Sequence, residues 1–151
     1  ERKTAIIITG LVFLQIIYGA FVAGLRAGWI HNTWPLMDGD IIAPAALALE
    51  PFIDNFFEGR SGVQFVHRTL GLVVVLFSGW ILYKSALWEE SLKKAARIAS
   101  LAVFFQFALG VITLLMEVPI YMGVIHQVFA LIVLLAHVSL IYSANYRLAS
   151  S

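Results

Sequence analysis

The sequence predicts an all-α fold, an integral membrane four-helix bundle made of two repeated transmembrane hairpins. Three observations predict it. Of the 151 residues, 61% are hydrophobic and only 13% charged, and the mean hydropathy is +0.90; a soluble domain holds ~45–50% apolar and ~25% charged residues. Four apolar runs reach the ~20 residues that a spanning helix requires. The first run is repeated in the third, and the second in the fourth.

The four spans are predicted at 4–25, 63–83, 95–116 and 119–142. No charge interrupts their interiors except Arg68, near the head of the second, and Arg97, near the start of the third. Pro119 opens the fourth, where a missing N–H costs nothing. Lys and Arg set the orientation. Arg2, Lys3, Lys84, Lys93, Lys94, Arg97 and Arg147 lie on one side, and only Arg26, Arg60 and Arg68 on the other. Asp38, Asp40, Glu50, Asp54, Glu58 and Glu117 share the cation-poor side. Both termini are therefore expected in the cytoplasm or matrix, with the long loop 26–62 facing outward. Trp29, Trp34 and Tyr121 mark the outer boundary; Trp80, Tyr83, Trp88, Tyr142 and Tyr146 mark the inner one. Within the loop, Pro51 and Gly59 bracket a stretch with Phe52, Ile53, Phe56 and Phe57 on one face. It reads either as a short amphipathic helix, 51–58, lying on the bilayer, or as an ordinary covered loop.

The composition also excludes. A net charge of +1 gives no reason to expect a nucleic-acid partner, and with no cysteine there are no disulfides, thiolate catalysts, zinc–thiolate or iron–sulfur sites. The chain opens ERKTAIII without a methionine and without a leader's cleavage site, so a piece of a longer protein is expected.

The repeat is explicit at the residue level. Phe13, Gln15 and Gly19 align with Phe104, Gln106 and Gly110; His67, Gly71 and the apolar run after them align with His126, Ala130 and theirs. Both hairpins run the same way through the membrane, which implies a pseudo-twofold axis along the membrane normal. Under that axis His67 and His126 become mates at one depth, ~6–10 Å inside their helix starts at ~1.5 Å rise per residue. Two imidazoles facing across a bundle can hold a metal or a haem iron. The residue one turn on, Gly71 or Ala130, is small, as clearance beside a flat porphyrin would require. Zinc would want more first-shell ligands than two histidines. The pattern therefore favours a bis-histidine haem site over a pair of structural, hydrogen-bonded histidines.

The remaining polar residues say less. His137 lies ~16 Å deeper on the same face as His126, but its repeat mate is Ser78, which suits a polar interior residue rather than a ligand. His31 is expected in the outer loop, solvated or near a headgroup. Arg68 and Arg26 could meet haem propionates or snorkel to lipid phosphate; both readings stand. Gln15 and Gln106 are expected to bond between helices, and Gly19 and Gly110 to allow close helix approach.

The stretches YGAFVAGLRAGWIHNTWPLMDG (18–39), PFIDNFFEG (51–59), VQFVHRTLG (63–71) and GVITLLMEVPIYMGVIHQVFAL (110–131) together resemble the carboxyl-terminal half of haem A synthase. The resemblance implies half of an eight-helix pseudo-twofold protein that oxidises the C8 methyl of haem O to the formyl of haem A for cytochrome oxidase. It implies a haem b between His67 and His126, and an amino-terminal half that takes the substrate haem. There the family carries a glutamate three residues before its first histidine; the corresponding position here is Gln64. The resemblance thus fits a cofactor-bearing half, with no catalytic residue in this chain. The implied partners are the lipid bilayer, the amino-terminal half or a second copy of this chain, and an electron donor. The implied location is a bacterial inner membrane, or the mitochondrial one in a eukaryote. A b-type electron-transfer cytochrome and a non-haem assembly subunit are the alternatives that the residues leave open.

Overall fold

The computed structural model describes residues 1–150, with side chains as far as Asn145; the side chains of Tyr146 and Arg147, counted above for the inner boundary, lie outside the described ones. Four long helices are present: α1 Arg2–Gly24, α2 Arg60–Lys84, α3 Glu90–Leu115 and α4 Ile120–Ser150. Each is long and apolar enough to cross a membrane. Among the described residues there is no strand, only an isolated bridge between Met37 and Asp40.

Three helices, α1 to α3, begin earlier than their apolar runs, and for α3 and α2 the reasons are identifiable. α3 starts at Glu90 because the Glu89 carboxylate accepts from the backbone N–H of Ser91 at 3.2 Å, an N-cap that hydropathy cannot register. α2 starts at Arg60, and its first turn, Ser61 to Gln64, is buried under the outer loop. Gly62 makes that approach possible: a Cβ there would stand 2.0 Å from the carbonyl oxygen of Asn55. Asn55 in turn ties its own loop by accepting from Leu49 N–H and donating to the carbonyls of Leu49 and Phe52.

α1 and α3 end alike. Arg26 (φ 53°) and Glu117 (φ 60°), which the repeat aligns, both take the left-handed conformation just beyond their helices. The turn after α3 is a Schellman closure: Val118 N–H reaches Thr113 O at 2.9 Å and Glu117 N–H reaches Leu114 O at 3.0 Å.

Each helix packs against its two chain neighbours, with α4 closing the ring on α1, so α1 and α3 stand on one diagonal and α2 and α4 on the other. The core is stacked in tiers that obey the repeat. Val12, Val74, Val103 and Val133, one from each helix, are buried together. One turn inward come Ile8 and Ala99 with Ser78 and His137, then Ala5 and Ala96 with Ile81 and Leu140, all buried. The hydrogen bonds repeat as well: Thr9 donates to His137 O and its mate Ser100 to Ser78 O. Large side chains such as Phe13, Leu76, Phe105 and Leu135 point outward, as lipid-facing surfaces do and soluble ones do not.

The outer loop is an ordered cap. The expected amphipathic stretch is a short 3-10 helix, Phe52–Phe56, with Phe52, Ile53 and Phe57 exposed and Asn55 buried beneath. Trp34, expected at the outer boundary, packs edge-on against Phe107 of α3 at 5.5 Å.

Candidate functional site

Above the valine tier the four helices diverge around a cavity of about 620 Å³. His67, His126, Gly71, Ala130, Arg68 and Arg26 all line it. So the residues singled out from the two hairpins meet in one place, and the histidines enter it from the diagonal helices α2 and α4. The walls are mostly apolar, valine, glycine and alanine above all, with glutamines, histidines and arginines converging among them, a make-up that suits a cofactor or ligand pocket.

Each histidine sits in the same small arrangement. In the first hairpin the Gln15 amide nitrogen donates to the main-chain oxygen of His67 at 3.0 Å and stands 3.4 Å from its Nε2. In the second, Gln106 does the same to His126 at 2.9 and 3.5 Å. A glycine flanks each ring: a Cβ on Gly19 would lie 3.3 Å from His67 Cε1, and one on Gly110 only 2.8 Å from His126 Cε1. These glycines thus make room for imidazoles, a role that goes beyond close helix approach. Nδ1 of both histidines is buried without a partner, as are the amide oxygens of Gln15 and Gln106.

Gly71 has a second neighbour. A Cβ there would stand 3.1 Å from Gln15 Nε2, so the small residue after His67 clears space for the glutamine as well as bordering the cavity.

The two arginines differ. Arg68 donates from Nη1 to the carbonyls of Thr33 (3.0 Å) and Leu36 (3.3 Å) and from Nη2 to that of His31, while Nε is buried and unpartnered. Its guanidinium is thus largely occupied in fastening the loop over the cavity, and lies 5.9 Å from the Trp34 ring. Arg26 is exposed at the cavity mouth, beside Trp29 at 5.4 Å, and its carbonyl accepts from Arg60. Gln64 donates to Ala27 O at 3.0 Å and Ile30 O at 2.6 Å, leaving its oxygen buried and unpaired at the cavity wall.

His31 is not a solvated loop residue: Nδ1 meets Asp38 at 2.6 Å and Nε2 meets the Ser61 hydroxyl at 2.9 Å. His137 is buried below the valine tier, its Nδ1 donating to Val133 O at 2.8 Å, and it does not line the cavity. Among the described residues no three His, Asp or Glu side chains gather to hold a metal ion. The donor set is two nitrogen ligands in an apolar chamber, which suits a ligand that brings its own equatorial donors, as a porphyrin does.

The family of cytochrome oxidase assembly proteins matches residues 2–138. The chain belongs to this family. Among its curated relatives, the protein named heme A synthase of Flavobacterium psychrophilum is 47% identical over 88% of the chain and 40% of its own length. That of Wolbachia pipientis wMel is 47% identical over 83% of the chain and 35% of its length, and that of Maricaulis maris 43% identical over 90% and 40%. The chain spans about two-fifths of the length of these relatives. No solved structure matches it.

Proposed function

We propose that this chain is the haem-b-holding half of a haem A synthase, with His67 and His126 as the axial ligands of the iron. The observation that carries the reading is the pair of repeat-related imidazoles lining one apolar cavity from diagonal helices, each with an unpartnered ring nitrogen. The relatives are named heme A synthase, and the reaction the family resemblance implies is oxidation of the haem O methyl to the formyl of haem A. Bound there, haem b supplies one-electron redox capacity. The chain's own groups give it the rest of its environment. The valine tier closes the inner end of the cavity. Gly71 and Ala130 border it, and the loop fastened by Arg68 covers the outer end. The exposed guanidinium of Arg26 and the Nε of Arg68 are the cationic donors for propionates.

Substrate oxidation falls to the other half of the synthase in this reading, because Gln64 stands where the resemblance implies a carboxylate in that half. The distribution of Lys and Arg supports an orientation with both termini in the cytoplasm or matrix, in a bacterial inner membrane or the mitochondrial one in a eukaryote. The test is reconstitution with the amino-terminal half, haem O and a reductant, followed by quantification of haem A. Conversion with the parent and loss with His67→Ala support the reading. Haem binding without conversion would leave an electron-transfer cytochrome.

A further inference from the structure

We infer that the cavity opens sideways between α1 and α4, and that haem enters it there from the bilayer rather than through the outer loop. The inference rests on the haem-binding reading above. The residues that line the cavity divide by exposure. On α1, Ala20, Ala23 and Arg26 line it and are exposed; on α4, Ile120, Gln127 and Leu131 do the same. Ile120 is 84% exposed and Leu131 57%. No residue that lines the cavity from α2 or α3 is exposed. The mouth therefore belongs to one side of the bundle.

The other approaches are closed. The buried valine tier seals the inner end. The outer end lies under the loop, whose carbonyls accept from Arg68 and Gln64. Within each hairpin a histidine ring fills the space beside Gly19 or Gly110. Between α2 and α3 stands Trp34, 5.5 Å from the Phe107 ring and 5.9 Å from the Arg68 guanidinium. The gap between α1 and α4 is the twofold mate of that one, and the two connections explain why it stays open. Trp34 comes from the long segment 25–59 that joins α1 to α2, whereas α3 and α4 are joined only by residues 116–119. That short turn carries no tryptophan to plug its gap, and Ala20 and Ala23 keep the α1 lip low. The lip also suits an amphiphilic ring. Ala20, Ala23, Ile120 and Leu131 are apolar, while Arg26 stands beside Trp29 at the outer rim, the level of the headgroups. A porphyrin can pass the apolar lip with its carboxylates held near that guanidinium.

The chain has no cysteine, so Ala20→Cys places a single thiol on the lip. The control is Ile112→Cys on α3, exposed but outside the cavity. Each chain, in phosphatidylcholine vesicles, is treated with a bulky lipid-soluble maleimide, and haem uptake is followed by the growth of the low-spin absorbance. The adduct at Ala20→Cys should abolish rapid uptake, and the adduct at Ile112→Cys should leave the parent's rate. Transfer out separates a blocked route from a damaged site. Attached after loading, the Ala20→Cys adduct should also slow the loss of haem to an apomyoglobin trap, because one mouth serves both directions; a damaged site would lose haem faster. Uptake at the parent's rate with the Ala20→Cys adduct in place overturns the inference, as does unchanged or faster release. Faster uptake after proteolytic cleavage of the loop within 31–42 would also overturn it, because entry would then be from the outer surface. A parent that takes up no haem removes the reading on which the inference rests, and the inference with it.

Discussion

At the residue scale, the site is two copies of one device: a histidine, a glutamine that grips its backbone, and a glycine against its ring. The glycine gives a sharp prediction. A Cβ on Gly110 would lie 2.8 Å from His126 Cε1, against 3.3 Å for Gly19 and His67. In a helix interior Gly→Ala is otherwise favourable by about 0.5–1 kcal/mol, so folding should not suffer from helix propensity. Gly110→Ala should therefore displace the ring and lower haem occupancy, and Gly19→Ala should do so less; the haem-to-protein absorbance ratio of the purified variants checks the order. His137→Ala should behave oppositely. It leaves a hole below the valine tier and lowers thermal stability in detergent, while the haem spectrum stays. The histidines, Gly71 and Ala130 were legible in the sequence because they interrupt or punctuate apolar runs at repeat-related positions. The glutamine and glycine partners were half legible: their repetition was plain, but which ring each meets depends on the hairpin's packing.

At the element scale, the outer loop is a lid fastened to α2, and the fastening is polar. Arg68 reaches three loop carbonyls, Gln64 two, and Asn55 makes three bonds within the loop. Asn55→Ala removes three hydrogen bonds made by a fully buried side chain, to Leu49 N–H, Leu49 O and Phe52 O, and should cost about 1–3 kcal/mol. It should also open the loop to limited proteolysis while α1 to α4 remain protected. Arg68→Lys cannot span the same carbonyls with a single ammonium, and faster cleavage within 31–42 is expected. The four helices were legible from length and hydropathy, and their ends were not. The start of α3 depends on the Glu89 cap, and that of α2 on a first turn buried beneath the loop. Hydropathy could not place Trp34 or His31 either, because both are held by contacts between segments distant in sequence: Trp34 with Phe107, His31 with Ser61.

At the scale of the whole molecule, the repeat explains why one apolar bundle carries one polar-lipped cavity. The core tiers below it pair residue for residue, Val12 with Val103 and Val74 with Val133. Two hairpins joined this way leave a central space that both halves line equally, and a flat symmetric ligand between two imidazoles suits that symmetry. In the Asn55→Ala variant, the loop 26–62 should be cleaved by protease added outside spheroplasts while both termini stay protected; the reverse pattern would contradict the orientation. The central claim is that His67 and His126 hold a haem. The most direct measurement is the visible spectrum of the detergent-purified chain, oxidised and dithionite-reduced, beside His67→Ala and His126→Ala. A sharp low-spin b-type spectrum in the parent, lost in both variants, is the predicted result. A parent that stays colourless after haem is added, or variants that keep the low-spin spectrum, would contradict it.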